Sequence, residues 1–325
     1  MGISDPLTKR LHSALSWEHA PGLNCFCTVP MPNSIWKSDN ASSSYRVPSQ
    51  FRVPWRAFSL VELLVVVSVI GILAGLLLPA LGRAKAKAES TSCLNNVRQL
   101  NLGWLLYADQ SNDHLIYNLG LDSRQPIPNT NRSLNWVDNI MSWEVTDTDN
   151  TNLLFLKKSP LTPFIGSTAG VFVCPSDKIV SDVQRQHGWT RRVRSYSMNA
   201  MVGDAGPNVQ NGGNIVNPGY RQFLHLADIP NPSGIFVFLD EHPDSIGDGY
   251  FYNKVADSEW AHLPGSYHRG AANFSYADGH VGLHRWKSAQ TTPRSAPFTT
   301  TLPSVVLTNG QADFQWIAYW SSSAQ

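Results

Sequence analysis

Three groups of side chains have the types and spacing to do chemistry. Asp240-Glu241-His242, followed by Asp244 and Asp248, puts carboxylates and an imidazole in one short stretch. His268 comes before Asp278, His280 and His284, and Asp177 stands beside Cys174 in Cys174-Pro175-Ser176-Asp177. Carboxylates and imidazoles together can hold a divalent metal, and a metal with an open coordination position can activate water. Asp244 and Asp248 could also offer oxygen ligands to Ca²⁺, although their spacing is not that of an EF-hand loop.

Quieter roles compete for the same residues. Asp248-Gly249 and Asp278-Gly279 are turn dipeptides, in which Asp accepts backbone hydrogen bonds. His280 and His284 lie four apart on a strand and so share one face, as two surface residues would. No H-E-x-x-H, G-x-S-x-G, P-loop or dinucleotide pattern occurs. The expectation is therefore a protein that is not an enzyme, with no catalytic residues and no cofactor, a structural divalent metal being the one exception considered.

The elements that would position these groups begin with a run of nineteen uncharged residues, Leu63 to Leu81 (LLVVVSVIGILAGLLLPAL). At about 1.5 Å per residue such a helix crosses a bilayer core of about 30 Å. Arg52 and Arg56 precede it and Arg83, Lys85 and Lys87 follow, so charge does not set the orientation. Glu62 sits at the N-terminal edge of the run, where it either reaches the headgroups or pairs with a positive group inside an assembly. Gly71 and Gly75 form a G-x-x-x-G pair that permits close helix approach.

Past the run, Cys93, Val97, Leu100, Trp104 and Tyr107 recur at spacings of four, three, four and three, with Asn95, Asn96, Arg98, Gln99 and Asn101 off the stripe. That pattern predicts an amphipathic helix lying against a sheet and ending near 109–113. Pro79 removes one backbone donor and should bend the helix. Strands are expected at Val171–Cys174, Val193–Met198, Ile235–Leu239, Tyr250–Tyr252, Ala272–Tyr276 and Val281–Trp286, with Asp204–Tyr220 as a loop. Asp278-Gly279 should close a tight hairpin with both central residues at positive φ.

Composition fits a folded chain. The 325 residues carry 25 Lys+Arg against 24 Asp+Glu, with 11 Trp. Near-neutral charge removes the electrostatic case for nucleic-acid binding, and the aromatic content is not that of a disordered chain.

Ala57-Phe58-Ser59-Leu60-Val61-Glu62-Leu63-Leu64-Val65-Val66 closely resembles the cleavage and methylation motif of type IV prepilins and type II secretion pseudopilins. The resemblance implies cleavage by prepilin peptidase between Ala57 and Phe58, N-methylation of Phe58, and an assembly role for Glu62 against the amino terminus of a neighbouring subunit. Pro79 stands where the family tends to place a helix-bending proline. Two departures are Ala57 where Gly is usual, and a long leader, 1–57, in place of a short basic one. His268 followed after nine residues by Asp278-Gly279 resembles a C-terminal signature of a large subgroup of these proteins. Cys174-Pro-Ser-Asp, Ser195-Tyr-Ser-Met-Asn and Phe238-Leu-Asp-Glu look like the same subgroup.

What the resemblance implies is an α+β, pilin-like fold: leader 1–57, membrane helix 58–81, amphipathic continuation 82–112, and a loop-rich β domain 113–325 on an antiparallel sheet. The implied partners are prepilin peptidase, the membrane and other pilin-like subunits. The implied place is a bacterial cytoplasmic membrane, crossed once, with the globular domain outside and assembled into a pilus-like or pseudopilus fibre. Removal of the leader would take Cys25 and Cys27, leaving Cys93 and Cys174 as either a disulfide, favoured by an oxidising compartment, or two buried free thiols. His268 is expected to bond near the hairpin turn and fix the last strands. Two alternatives stand beside the fibre subunit: an anchored module binding glycan or cargo through Trp136, Trp143, Trp260 and Trp286, and a metal-dependent enzyme.

Overall fold

The computed structural model describes residues 58–120, 134–166, 168–254, 260–299, 302 and 311–324. Ala57 and the expected leader lie outside them. Ser59–Gln325 forms one compact unit.

Helix α1 (Leu60–Gln110) runs 51 residues, about 76 Å at the α-helical rise. Ser59 caps it: its Oγ accepts from Glu62 N at 3.2 Å, and Glu62 Oε2 accepts from Ser59 N at 2.9 Å. This reciprocal box satisfies two donors that a helix start leaves open. The helix continues through Pro79 to a cap at Ser111.

The two halves of α1 live in different surroundings. The large apolar side chains from Leu60 to Leu81 are exposed, and the most apolar window has a mean hydropathy of 2.8 with none of it buried. This helix is long and apolar enough to cross a membrane. From Cys93 on it is core: Cys93, Val97, Leu100, Asn101, Gly103, Trp104 and Ala108 are buried. The expected stripe is present, but Ala108 rather than Tyr107 is its deepest final residue, and Asn101 is not on the solvent face. Asn101 Nδ2 donates to Tyr276 O at 2.9 Å, which ties helix to sheet.

The sheet comprises β1 (Tyr196–Asn199), β5 (Phe236–Asp240), β6 (Tyr250–Phe251), β7 (Ala271–Tyr276) and β8 (Val281–Arg285). Its order is β6-β1-β5-β7-β8. The β1–β6 pair is parallel and the other pairs antiparallel, so the sheet is mixed and not wholly antiparallel. A second sheet of β2 (Val209–Gln210), β3 (Gly213–Asn214) and β4 (Asn217–Arg221) occupies part of the stretch expected to be loop. These strands are too short and too rich in Asn and Gly for alternation to reveal them.

Short helices α2 (Leu153–Lys157) and α3 (Asp182–Gln186) lie in the connections, and α4 (Gln311–Ser321) covers the sheet face opposite α1. Phe236, Phe274, Trp260 and Trp286 pack with Phe314 and Ile317 of α4, while Val237, Phe238 and Tyr196 pack toward α1. With both faces covered, every residue of β5 is buried, which is why it reads as a continuous apolar run. The expected strand Val171–Cys174 is instead a 3-10 turn at Ala169–Phe172 followed by coil. It packs on α1, where Asn96 Nδ2 donates to Val173 O at 2.9 Å.

A buried Cys, Cys, Asp, His cluster as candidate functional site

Four residues from four elements meet between α1 and the sheet: Cys93 on α1, Cys174 in the coil after the 3-10 turn, Asp240 at the end of β5 and His268 just before β7. Their ligand-type atoms all lie within 4.8 Å of one another. Cys93, Cys174 and Asp240 have no exposure, and His268 has 6%.

Each is delivered by its local structure. Cys93 begins the buried stripe of α1, so the helical repeat aims it at the sheet. Asp240 closes the apolar run of β5, and its Oδ2 accepts from Asn273 N at 2.8 Å. Gly265 lets a neighbouring loop press against it; a Cβ there would lie 2.9 Å from Asp240 Cβ. His268 N donates to Ala271 O at 3.2 Å, fixing the ring ahead of β7.

Contacts inside the cluster converge. Cys93 Sγ donates to Asp240 Oδ1 at 3.1 Å and lies 3.1 Å from the Tyr196 hydroxyl. His268 Nε2 is 3.2 Å from Asp240 Oδ2 and 3.5 Å from Cys174 Sγ. Both neighbours therefore meet the same ring nitrogen, while His268 Nδ1 is buried without a hydrogen-bond partner. A nucleophilic relay needs the opposite arrangement, with thiol on one nitrogen and carboxylate on the other. The described geometry is that of groups facing a common centre.

Charge in this cluster is strongly perturbed. Burial pushes the Cys93 thiol well above its ordinary value. Burial also works against charge on Cys174, but hydrogen bonds from Cys93 and His268 outweigh it and hold this thiol below the usual range. Burial would lower the His268 imidazole, yet its bonds to Asp240 and Cys174 prevail and push it up to about 10. Burial raises the Tyr196 hydroxyl well above its normal range, so it remains a donor.

The structure thus redistributes the groups named from sequence. Cys93 and Cys174 come together as expected of a pair, but as free thiols rather than a disulfide. His268 is at the opposite end of β7 from Asp278-Gly279 and does not bond the hairpin turn. The hairpin closes over four residues, with Gly279 at φ +94° and Asp278 not at positive φ. Tyr276 N donates to His280 O at 3.0 Å, and Asp278 Oδ1 accepts from His280 N at 3.0 Å. His280 stacks on Tyr276 and is exposed, whereas His284 stacks on Trp316 at 3.7 Å and is half-buried.

The other acidic groups bond within their own neighbourhoods. Glu241 Oε1 accepts from Ser245 Oγ at 2.9 Å and His262 Nδ1 at 2.7 Å. Asp244 accepts from Ser295 Oγ and Ala296 N, and Asp248 from Tyr250 N. His242 Nε2 lies 3.2 Å from Pro293 O. Asp177, raised by burial, accepts from Ser195 Oγ at 2.7 Å. The four tryptophans considered as a stacking platform are all buried, at 0%, 8%, 3% and 6% exposure for Trp136, Trp143, Trp260 and Trp286, so they form core and no exposed platform.

Sequence spacing gave no sign of the cluster, because Cys93 and Asp240 are 147 residues apart and Cys174 and His268 are 94 apart. One local signal was present: Asp240 ends a fully apolar run, where a carboxylate is costly to bury without a partner.

At the other end of α1, Phe58 is exposed and Ser59 and Glu62 form the cap described above. Pro79 lies inside the exposed apolar half. No protein-family model, no curated protein and no solved structure matches this chain.

Proposed function

We propose that the chain is a non-enzymatic, prepilin-like subunit of a bacterial cytoplasmic membrane, trimmed before Phe58 and assembled with like subunits into a pilus-like or pseudopilus fibre. The observation that carries this reading is the division of α1: an exposed apolar half at 60–81 and a half from Cys93 to Ala108 built into the core. A subunit that leaves lipid to polymerise needs this division, since the exposed half finds its apolar partners in neighbouring helices while the buried half holds the head domain. Support also comes from the prepilin-like residues Ala57 to Val66, with prepilin peptidase as the processing partner.

Glu62 has a defined place in this scheme. As α1 packs among its neighbours, its carboxylate would lie at the edge of an apolar bundle, where an unpaired charge is costly. The amino terminus of Phe58 from an adjacent subunit supplies the compensating charge.

The experiment is N-terminal sequencing of the membrane form together with fibre assembly by Glu62→Ala. Methylated Phe58 at the mature terminus, with the variant cleaved but not assembling, is the expected result. An intact leader, or normal fibres from Glu62→Ala, overturns the proposal.

A further inference from the structure

We propose that Cys93, Cys174, Asp240 and His268 form a structural zinc site that fastens α1 to the sheet. The donor set suits the ion: two sulfurs, one imidazole nitrogen and one carboxylate oxygen are the ligand types of four-coordinate zinc.

Geometry supports it quantitatively. Zinc–ligand distances of about 2.0–2.3 Å on a tetrahedron place adjacent ligand atoms about 3.3–3.8 Å apart. The two Asp240 oxygens stand 3.1 Å from Cys93 Sγ (Oδ1) and 3.2 Å from His268 Nε2 (Oδ2), and His268 Nε2 is 3.5 Å from Cys174 Sγ. With one ligand atom taken from each residue, all four lie within 4.8 Å of one another. Small side-chain rotations complete the tetrahedron. His268 meets both neighbours through Nε2 alone, the nitrogen that would ligate, and this explains a convergence that a relay of protons does not.

The surroundings fit a bound ion. Asn273 N orients Asp240, and the Tyr196 hydroxyl is placed to donate to the Cys93 sulfur; such outer hydrogen bonds fix ligands and tune affinity. Two thiolates and a carboxylate around Zn²⁺ leave a net charge of −1. A cavity of about 480 Å³ that reaches His268 is lined also by Arg83, Lys87, Glu89, Arg269 and Arg285, a net positive surrounding that offsets part of that charge. Zinc takes thiolate and neutral imidazole as ligands, so protons compete with it and affinity falls as pH falls.

The alternative of an enzyme is disfavoured by the same geometry. Four protein ligands close the coordination sphere, whereas catalytic zinc keeps a position open for water. The site would instead join α1, the coil at Cys174, the end of β5 and the segment before β7, elements far apart in sequence.

The test uses the full-length protein in detergent, reduced and stripped with a chelator, then titrated with Zn²⁺ or Co²⁺ alone. Expected are one equivalent of metal per chain, a thiolate-to-cobalt charge-transfer band, protection of both thiols from alkylation, and a rise in Tm with zinc. Tyr196→Phe, which removes only an outer hydrogen bond, should fold and bind zinc about 10- to 100-fold more weakly. Cys174→Ser, which removes one of the two thiolates, should weaken the cobalt band. A wild-type protein that takes up less than a tenth of an equivalent, shows no charge-transfer band and keeps both thiols reactive when unfolded overturns the site. A Cys93–Cys174 disulfide in protein purified without reductant overturns it equally.

Discussion

Gly103 stands in the buried half of α1, where a helix former would ordinarily be an improvement. In an exposed helix interior, Gly→Ala gains about 1 kcal/mol by reducing backbone entropy in the unfolded chain. Here a Cβ would lie 2.6 Å from Ile165 Cγ2 and 3.6 Å from both Leu161 O and Phe164 Cβ. Carbon atoms pack best at about 3.5–4.0 Å, so Ile165 must retreat by about 1 Å. Its Cγ2 is bonded directly to Cβ and moves only with χ1 or the backbone. Ile165 is itself 6% exposed, with core on its other side. Overpacking of this kind costs about 1–3 kcal/mol, which outweighs the helical gain.

Gly103→Ala should therefore lower stability by about 1 kcal/mol, or about 2–4 °C in Tm for a domain of this size. The decisive control is the second background. Ile165→Ala alone costs about 2–5 kcal/mol, but it removes Cγ2 and opens the space. On that background Gly103→Ala should raise Tm, giving a coupling of about 1–3 kcal/mol between the two sites. Thermal melts of the four proteins in one detergent, followed by circular dichroism, read this directly. If Gly103→Ala raises Tm equally on both backgrounds, the close packing of α1 on the 162–165 turn is wrong.

Two further outcomes follow from buried charge. Arg194 is fully buried, and its guanidinium donates to Tyr196 O at 2.7 Å, Ser197 Oγ at 3.2 Å and Asn139 Oδ1 at 3.1 Å. Arg194→Met should lower the urea midpoint by the equivalent of about 3–5 kcal/mol because those acceptors lose their donors; a change under about 1 kcal/mol would refute the network. His262 is held above its ordinary value: burial works against it, but Glu241 at 2.7 Å outweighs burial. A raised folded-state value gives stability that is complete below the unfolded value, about 6.5, and is lost as pH rises through the folded one. The stability difference between wild type and His262→Gln should therefore shrink from pH 6 upward, and a difference that grows with pH would refute the assignment.

Much of the architecture was legible because it is written in local periodicity. The nineteen-residue apolar run, the Cys93-to-Trp104 stripe and the strands around 236–240, 271–276 and 281–285 follow from repeats of 3.6 or 2 and from apolar continuity. The 209–221 sheet was not legible, since its strands are two to five residues long and its Asn, Gly and Pro residues read as loop. Helix α4 is not legible although Phe314 and Ile317 are three apart, because the aromatic run around them leaves no continuous polar face. The candidate site was hardest. Nearness in sequence ties His268 to Asp278, but its partner in the fold is Asp240. Sequence places Asp240 with Glu241 and His242, which point into other networks. Proximity across elements is set by packing, and a single sequence does not encode it in spacing.

The continuous course of α1 has a consequence in angle. One helix carries both an outward-facing apolar surface and a seam locked into the globular part, or head, so the head's azimuth about the helix axis is fixed relative to the apolar half. A residue inserted between Leu81 and Cys93 would turn the whole head by about 100°, and four would bring it back to within about 40° of its original facing. Spacer length in this stretch therefore acts as a rotational setting, and insertions of seven or eleven residues, about two and three turns, would lengthen the helix while returning each face of the head to within about 20° of where it pointed.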